Sequence, residues 1–269
     1  MNFTILGASG FVGSYLVKTL RKALHEVYTP ARGDIDIYNR SLGHVLYCVG
    51  LTADFRVRPY ETVRAHISVL ADLLEKADFE SLVYLSSTRV YARSSTGEES
   101  SPLIVDPSDP SDLYNLSKLA GESLCRSCGH KAVKVARLST IVGYDPQADN
   151  FLPTLIREAL SGRIELQSAL ASAKDYILLN DAATLLPRIA LEGQGGCYNV
   201  ASGINISHRE IVSRLADLTG CEVFVMPGAP LQDFPIVNIS RIQSEFGFTH
   251  ASVLDAMPAM VEACRAGTR

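Results

Sequence analysis

Residues 7–13 read GASGFVG, and the reading of this stretch decides the fold. It follows a short strand-forming run at residues 3–6. It leads into apolar residues at helical spacing between Phe11 and about Leu24: Val12, Leu16, Leu20 and Ala23 or Leu24. Strand, glycine turn and helix in that order open a βαβ unit. Gly7, Gly10 and Gly13 permit a sharp turn, a close ligand approach and tight packing of helix on strand. Around them Ser9, Phe11 and Val12 complete a helix start whose free N–H groups attract a pyrophosphate. A tight turn without a ligand uses the same glycines, but a position directly after an N-terminal strand favours dinucleotide binding.

Working outward, further strand-like runs lie at 26–29, 44–49, 81–85 and 132–138, separated by stretches of helical periodicity. After Pro59, a residue suited to a first helical turn, Val63, Ile67, Leu70, Leu74 and Ala77 mark one apolar helix face. This alternation predicts an α/β, Rossmann-like, doubly wound parallel sheet with a smaller C-terminal substrate-binding lobe. The expected dinucleotide-binding domain spans 1–143, with 175–202 returning to it; 144–174 and 203–269 form the lobe. In the lobe, Ser207 and Glu210 make a capping box and Gly220 stops the helix.

With 269 residues, 47% hydrophobic and 20% charged, the chain has the composition of a globular enzyme or binding protein. A net charge of −4 argues against nucleic-acid binding, and no apolar run approaches a membrane span. The opening MNFTILG lacks signal-peptide features, so a cytoplasmic location is expected. Six scattered cysteines suggest reduced thiols. Cys125, Cys128 and His130 lack the second ligand pair that a structural zinc requires, and no metal is expected.

The second strand ends YTPARGD. An acidic residue there accepts from ribose hydroxyls, whereas arginine accommodates a ribose phosphate. Ala31 stands where aspartate is expected and Arg32 follows, which favours NADP over NAD. Asp34, with Ile35 beside it, offers an adenine contact instead. Arg32 as a solvated strand end fits the same residues.

A helix places Tyr114 and Lys118 of YNLSK on one face, toward the carboxyl edge of the sheet. Free tyrosine ionises near pH 10, and a nearby ammonium favours the phenolate. Tyr114 then serves as a proton carrier beside a hydride transfer. Ser87, ending the strand in LSSTRVY, can hydrogen-bond the reacting oxygen. Taken singly, Ser87 also fits a strand-end serine, and Tyr114 with Lys118 fits the solvent edge of a helix.

GASGFVG, LSSTRVY and YNLSK in that order, with LAGES, RLSTIVG, KDYILLNDAA and GCYNVASG after them, resemble the extended short-chain dehydrogenase/reductase family, which includes nucleotide-sugar epimerases, dehydratases and reductases. The resemblance implies catalytic Ser87, Tyr114 and Lys118 and cofactor contacts at Gly7, Gly10 and Gly13. Where dehydratases carry an acidic pair this chain has Thr88 and Arg89, which disfavours elimination of water. The family's usual asparagines are His66 and Thr140 here. Lys174 replaces the usual arginine, keeping charge for a diphosphate without the bidentate fork. The short stretch from Asp34 to His44 leaves little room for the usual third strand and helix.

The resemblance thus implies an NAD(P)-dependent reductase or epimerase of a nucleotide-sugar, with Thr88, Thr140 and Lys174 on the substrate side. Reduction of a non-sugar ketone or aldehyde, and a non-catalytic dinucleotide sensor, remain alternatives. Pairing of the helix at 59–77 with the Tyr114 helix across a two-fold axis implies a homodimer.

Overall fold

The structure is a computed structural model that describes residues 1–51, 54–143 and 150–267. Strand β1 (Asn2–Leu6), α1 (Phe11–Lys22), β2 (Glu26–Tyr28) and β3 (His44–Tyr47) open the chain. Helices α2 (Pro59–Val63) and α3 (Val69–Lys76) run together through a π-helical turn at Arg64–Ser68. Then come β4 (Ser81–Ser87), α4 (Leu113–Ser127), β5 (Val133–Leu138), β6 (Thr140–Val142) and α5 (Phe151–Leu160). The remainder is β7 (Arg163–Leu166), β8 (Ala173–Leu178), α6 (Leu179–Glu192), β9 (Gly196–Val200), β10 (Asn205–Ser207), α7 (His208–Thr219), β11 (Glu222–Val225), α8 (Ser240–Phe246) and α9 (Val253–Gly267).

One sheet has the strand order β2-β1-β3-β4-β5-β9, and every neighbouring pair is parallel. Val45 pairs with Thr4 and Leu82, and Leu85 with Ala136. Because helices cover both faces, β4 and β5 are buried on both sides rather than on alternate residues, Lys134 and Arg137 of β5 included. This is the α/β, Rossmann-like arrangement expected, and it puts all strand carboxyl ends on one edge, where ligands of such sheets collect. No strand lies between Asp34 and His44; that stretch holds a 3-10 turn, Ile35–Tyr38, and leaves β2 at the edge.

A second apolar core joins α5, α7 and α9 through Leu152, Ile156, Ile211, Leu215, Met257 and Val261. Small sheets β10-β8-β6 and β11-β7 lie against it. The capping box of Ser207 and Glu210 forms at the start of α7, and Gly220 ends the helix at φ 73°.

Two helical faces differ from expectation. Helix α1 stops at Lys22; Leu24 turns out at φ 61° and is 92% exposed, and Ala23 is exposed too. Leu24 takes the left-handed position usually given to glycine at a helix end. In the second case Val63, Ile67, Leu74 and Ala77 are only half-buried, while Thr62, Ala65, His66, Leu70 and Leu73 face the core. The π-helical turn adds a residue and rotates the face. Its carbonyls are held by hydroxyls from the sheet: Tyr47 donates to Ala65 O at 2.6 Å and Tyr84 to His66 O at 3.3 Å.

Candidate active site

The glycine turn sits at the carboxyl end of β1. Gly7 has φ 82°, and a Cβ there would stand 2.8 Å from the Cys48 carbonyl carbon and oxygen. A Cβ on Gly13 would stand 2.2 Å from Gly7 O, so helix and strand approach only because both residues are glycine. Gly10 donates to Gly7 O at 3.0 Å and forms the N-cap of α1, without a side-chain cap or an acidic residue in the first turn. The N–H groups at this helix start therefore have no intrahelical acceptor. Ser9 and Gly10 are exposed, and Phe11 and Val12 half-buried.

Arg32 lies beyond the end of β2, exposed, in a turn with Gly33 at φ 81°. Asp34 is occupied by its own turn: it accepts from the Tyr28 hydroxyl at 2.8 Å and from Asp36 N at 2.9 Å. These bonds, the Tyr28 one first, hold its carboxyl below the usual range. Ile35 is 71% exposed. Arg40 stacks over the Tyr28 ring at 4.1 Å, a second cation on this side that the sequence pattern did not single out.

Tyr114, Ser87 and Lys118 come together as their spacing suggested. Tyr114 and Lys118 are each 5% exposed. Burial raises the Tyr114 phenol above its ordinary value, opposed by a hydrogen bond with Ser87 and by the Arg89 guanidinium. Ser87 also accepts from Arg89 N at 3.2 Å. The Lys118 ammonium donates to Leu85 O at 2.8 Å and lies 5.9 Å from the centre of the Tyr114 ring. Burial pushes it down to about 7 against the pull of Glu122 and Cys48. The expected lowering of the phenol by Lys118 is not found: the Tyr114 phenol is raised. The cations and dipoles that act on Tyr114 are Arg89 and Ser87, and burial outweighs them.

Helix α4 is fastened to the sheet one turn beyond Lys118. Glu122 accepts from Ser86 Oγ at 2.6 Å and pairs with Arg137 Nη2 at 2.7 Å, both ends of the ion pair being 3% exposed. Arg137 also donates to the Tyr91 hydroxyl at 2.7 Å, and Tyr91 to Asn199 at 2.9 Å. This network ties α4 to β4, β5 and β9.

His66 was noted only as standing where the family usually has asparagine. Its ring packs edge-on to Tyr114 at 5.4 Å. The Ser117 hydroxyl lies 2.9 Å from Tyr114 O and 2.8 Å from His66 Nδ1. Among the described residues the other ring nitrogen, Nε2, is buried without a partner. Burial and Lys118 push the ring down to about 2, keeping it neutral. A Cβ on Gly50 would stand 3.2 Å from this Nε2 and 3.4 Å from Lys118 Nζ. Two buried nitrogens thus border a space that a side chain at residue 50 would crowd, just past β3. With the uncapped helix start along the same edge, these residues fit a dinucleotide.

Thr88 and Thr140 are half-buried, Thr140 opposite Tyr176 in β8. Lys174 lies between the rings of Phe151 and Tyr176, 5.1 and 5.2 Å from their centres. Burial, then Arg89, push its ammonium down to about 8. Arg89 itself stands 5.0 Å from the Phe55 ring centre and 5.6 Å from that of Tyr114. Arg56 covers Phe55 at 4.5 Å. Sequence reasoning used Arg89 only as a missing acidic pair and passed over Arg56; their meeting at Phe55 had no local signal. Away from this edge, Cys125 is buried, Cys128 is exposed and His130 packs on Phe79 at 4.8 Å.

The model of the NAD dependent epimerase/dehydratase family matches residues 3–201, the glycine turn, Ser87, Tyr114 and Lys118 included. The chain belongs to this family. The resemblance to extended short-chain dehydrogenase/reductases is borne out. A GDP-6-deoxy-D-mannose reductase from Pseudomonas aeruginosa is 28% identical over 255 residues, covering 82% of this chain and 81% of the relative. MoeE5 in complex with UDP-glucose and NAD superposes with a TM-score of 0.82 at 22% identity, covering 100% of both chains. RMD from Pseudomonas aeruginosa complexed with NADPH gives 0.79 at 22% identity, covering 99% of this chain and 100% of the other. At such identities the two structures share the fold. Among the described residues no helix is long and apolar enough to cross a membrane.

Proposed function

We propose that this chain is an NAD(P)-dependent oxidoreductase or epimerase acting on a secondary alcohol or ketone of a nucleotide-sugar. The observation that carries this reading is the burial of Tyr114 against Ser87 and His66, with Lys118 one turn along and on the edge of the sheet that holds the glycine turn. Gly7, Ser9, Gly10, Phe11, Val12 and Gly13 hold the cofactor's pyrophosphate at the start of α1. Arg32, Asp34 and Ile35 lie at the adenosine end. Arg32, exposed and without an ion pair among the described residues, supports NADP, because the carboxylate of Asp34 is already engaged. Lys118 and the space beside Gly50 lie at the nicotinamide end. When bound, the cofactor supplies or accepts a hydride.

The chain's own residues do the rest. Ser87 orients the reacting oxygen, and Tyr114 gives or takes its proton. Lys118 stabilises the phenolate once acceptor oxygens restore its charge. Of the expected substrate lobe, 144–174 and 203–269, residues 144–149, 268 and 269 lie outside the described residues, and the remainder forms the lobe in this reading. Thr88, Thr140 and Lys174 line the substrate, with Lys174 as the diphosphate's counter-charge. The relative named a GDP-6-deoxy-D-mannose reductase supports net reduction.

Incubation with a set of nucleotide-sugars and NADPH tests the reading. Oxidation of one NADPH per sugar reduced marks a reductase; sugar interconversion without it marks an epimerase. Tyr114→Phe should lower turnover by about 100-fold or more while keeping cofactor affinity. Unchanged turnover would refute the role of the phenol. The half-buried Val63, Ile67 and Leu74 support a dimer through α2, α3 and α4, and light scattering at the monomer mass would refute it.

A further inference from the structure

We propose that Arg89, backed by Arg56, receives a carboxylate carried by the sugar close to its reacting carbon, so that the substrate class is a nucleotide-activated acidic sugar. The proposal rests on the nucleotide-sugar reading above and narrows it.

Arg89 enters the site in the 3-10 turn Thr88–Tyr91, directly after Ser87, and its guanidinium lies against the rings of Phe55 and Tyr114. Among the described residues its guanidinium donates from Nη2 alone, to Ser111 O at 3.3 Å. Arg56 stands on the same Phe55 ring and, among the described residues, donates to Ser111 Oγ at 3.4 Å. Lys174 is close enough to feel Arg89. Among the described residues none of these cations makes an ion pair.

Among the described residues, the carboxylates that act on Arg89 are committed elsewhere. Asp112 accepts from Arg93 Nε, Asp106 N and Asn115 Nδ2, each at 2.8 Å. Asp109 accepts from Arg93 Nη2 at 2.7 Å and Ser111 N at 2.8 Å. They draw on Arg89 only from a distance. Burial and Arg56 act against its charge. A partly desolvated guanidinium beside an exposed like charge, without a counter-ion among the described residues, is unfavourable until an anion arrives.

Position separates the two anionic groups such a substrate offers. The diphosphate is bonded through the anomeric oxygen. The guanidinium of Arg89 lies over the phenol that handles the reacting hydroxyl, and therefore faces substituents next to the reacting carbon. Its planar fork matches a carboxylate, whereas the point charge of Lys174, on a different strand, suits a phosphate oxygen.

The test compares UDP-glucuronic acid with UDP-glucose, and GDP-mannuronic acid with GDP-mannose, by calorimetric binding and by turnover with NAD or NADP bound. Wild type should prefer the acidic member of at least one pair. In calorimetry Arg89→Met should weaken binding of that member on the order of 100-fold more than binding of its neutral counterpart, while any loss of turnover from removing a cation beside Tyr114 falls on both members alike. Arg89→Lys should restore part of the preference, and melting curves establish that both variants fold. A wild-type preference for the neutral sugars overturns the proposal alone. So does an equal loss on both members, which would place Arg89 on the diphosphate. Binding of none of the four by a protein that still binds its cofactor overturns the nucleotide-sugar reading as well.

Discussion

Replacing Lys118 by methionine separates the role of this ammonium in the reaction from its effect on the fold. In the cofactor-free chain the ammonium is buried, with one acceptor, Leu85 O, and burial takes it from 10.5 to about 7. A fall of that size corresponds to about 5 kcal/mol against the charged form. Methionine keeps the length and removes the charge, but it strips Leu85 O of its donor at about 1–2 kcal/mol. The variant should therefore be more stable than wild type by about 2–4 kcal/mol at pH 6. A lysine with a depressed pKa carries its proton in the unfolded chain, not in the folded one, between about 7 and 10.5. Wild-type stability then climbs with pH across that window and carries the full penalty below it. Lys174, pushed to about 8, adds a rise to both proteins, so their difference isolates Lys118. Urea unfolding followed by far-ultraviolet dichroism from pH 6 to 10, without cofactor, gives both curves. A variant no more stable than wild type at pH 6, or two curves that stay parallel, would refute the reasoning.

Gly50→Ala fills the space between His66 Nε2 and Lys118 Nζ, and should weaken cofactor binding by about 10-fold or more, measured by calorimetry, with little loss of melting temperature. Arg137→Met leaves Glu122 buried with only the Ser86 hydroxyl and should destabilise by about 3–5 kcal/mol in urea unfolding; adding Glu122→Gln should recover much of the loss. Acid should unfold the chain early. His66 and His208 are held neutral, pushed to about 2 and about 4 by burial and Lys118, and by burial and Lys174. The unfolded chain binds their protons below about 6.5, so stability falls as pH falls through that value, by about 1 kcal/mol per pH unit from His66 alone. A flat stability profile between pH 6 and 5 would contradict these assignments.

The features that were legible in the sequence are local ones. The spacing of Gly7, Gly10 and Gly13 encodes the turn because each glycine answers a contact within a few residues or with the adjacent strand. Tyr114 and Lys118 share a face because helix geometry requires it, and Ser87 joins them because a parallel sheet puts strand ends on one edge. What spacing does not encode is set by groups far along the chain. The π-helical turn at Arg64–Ser68 depends on hydroxyls from Tyr47 and Tyr84, so the expected Val63-Ile67-Leu74 face gives way to Ala65 and His66. The Asp34 carboxylate is engaged within its own turn by Tyr28 and Asp36 N. Arg89 meets Arg56 only because it reaches across to Phe55, the residue before Arg56 in the chain, whose ring lies beneath both.

The cations flanking Tyr114 do unequal work, and burial is the reason. A guanidinium stays charged at any pH the protein survives, so Arg89 acts on the phenol whether or not anything is bound. An ammonium buried to about 7 is only about half charged at neutral pH. In the mechanism proposed above, Lys118 gains its charge when cofactor oxygens enter the space it shares with Gly50 and His66 Nε2. The neutral His66 ring adds no charge there. On that proposal, phenol activation is coupled to occupation of the dinucleotide cleft through Lys118, and discrimination among substrates falls to Arg89. One tyrosine thus answers to both ligands, through two cations that differ in how much of their charge burial leaves them.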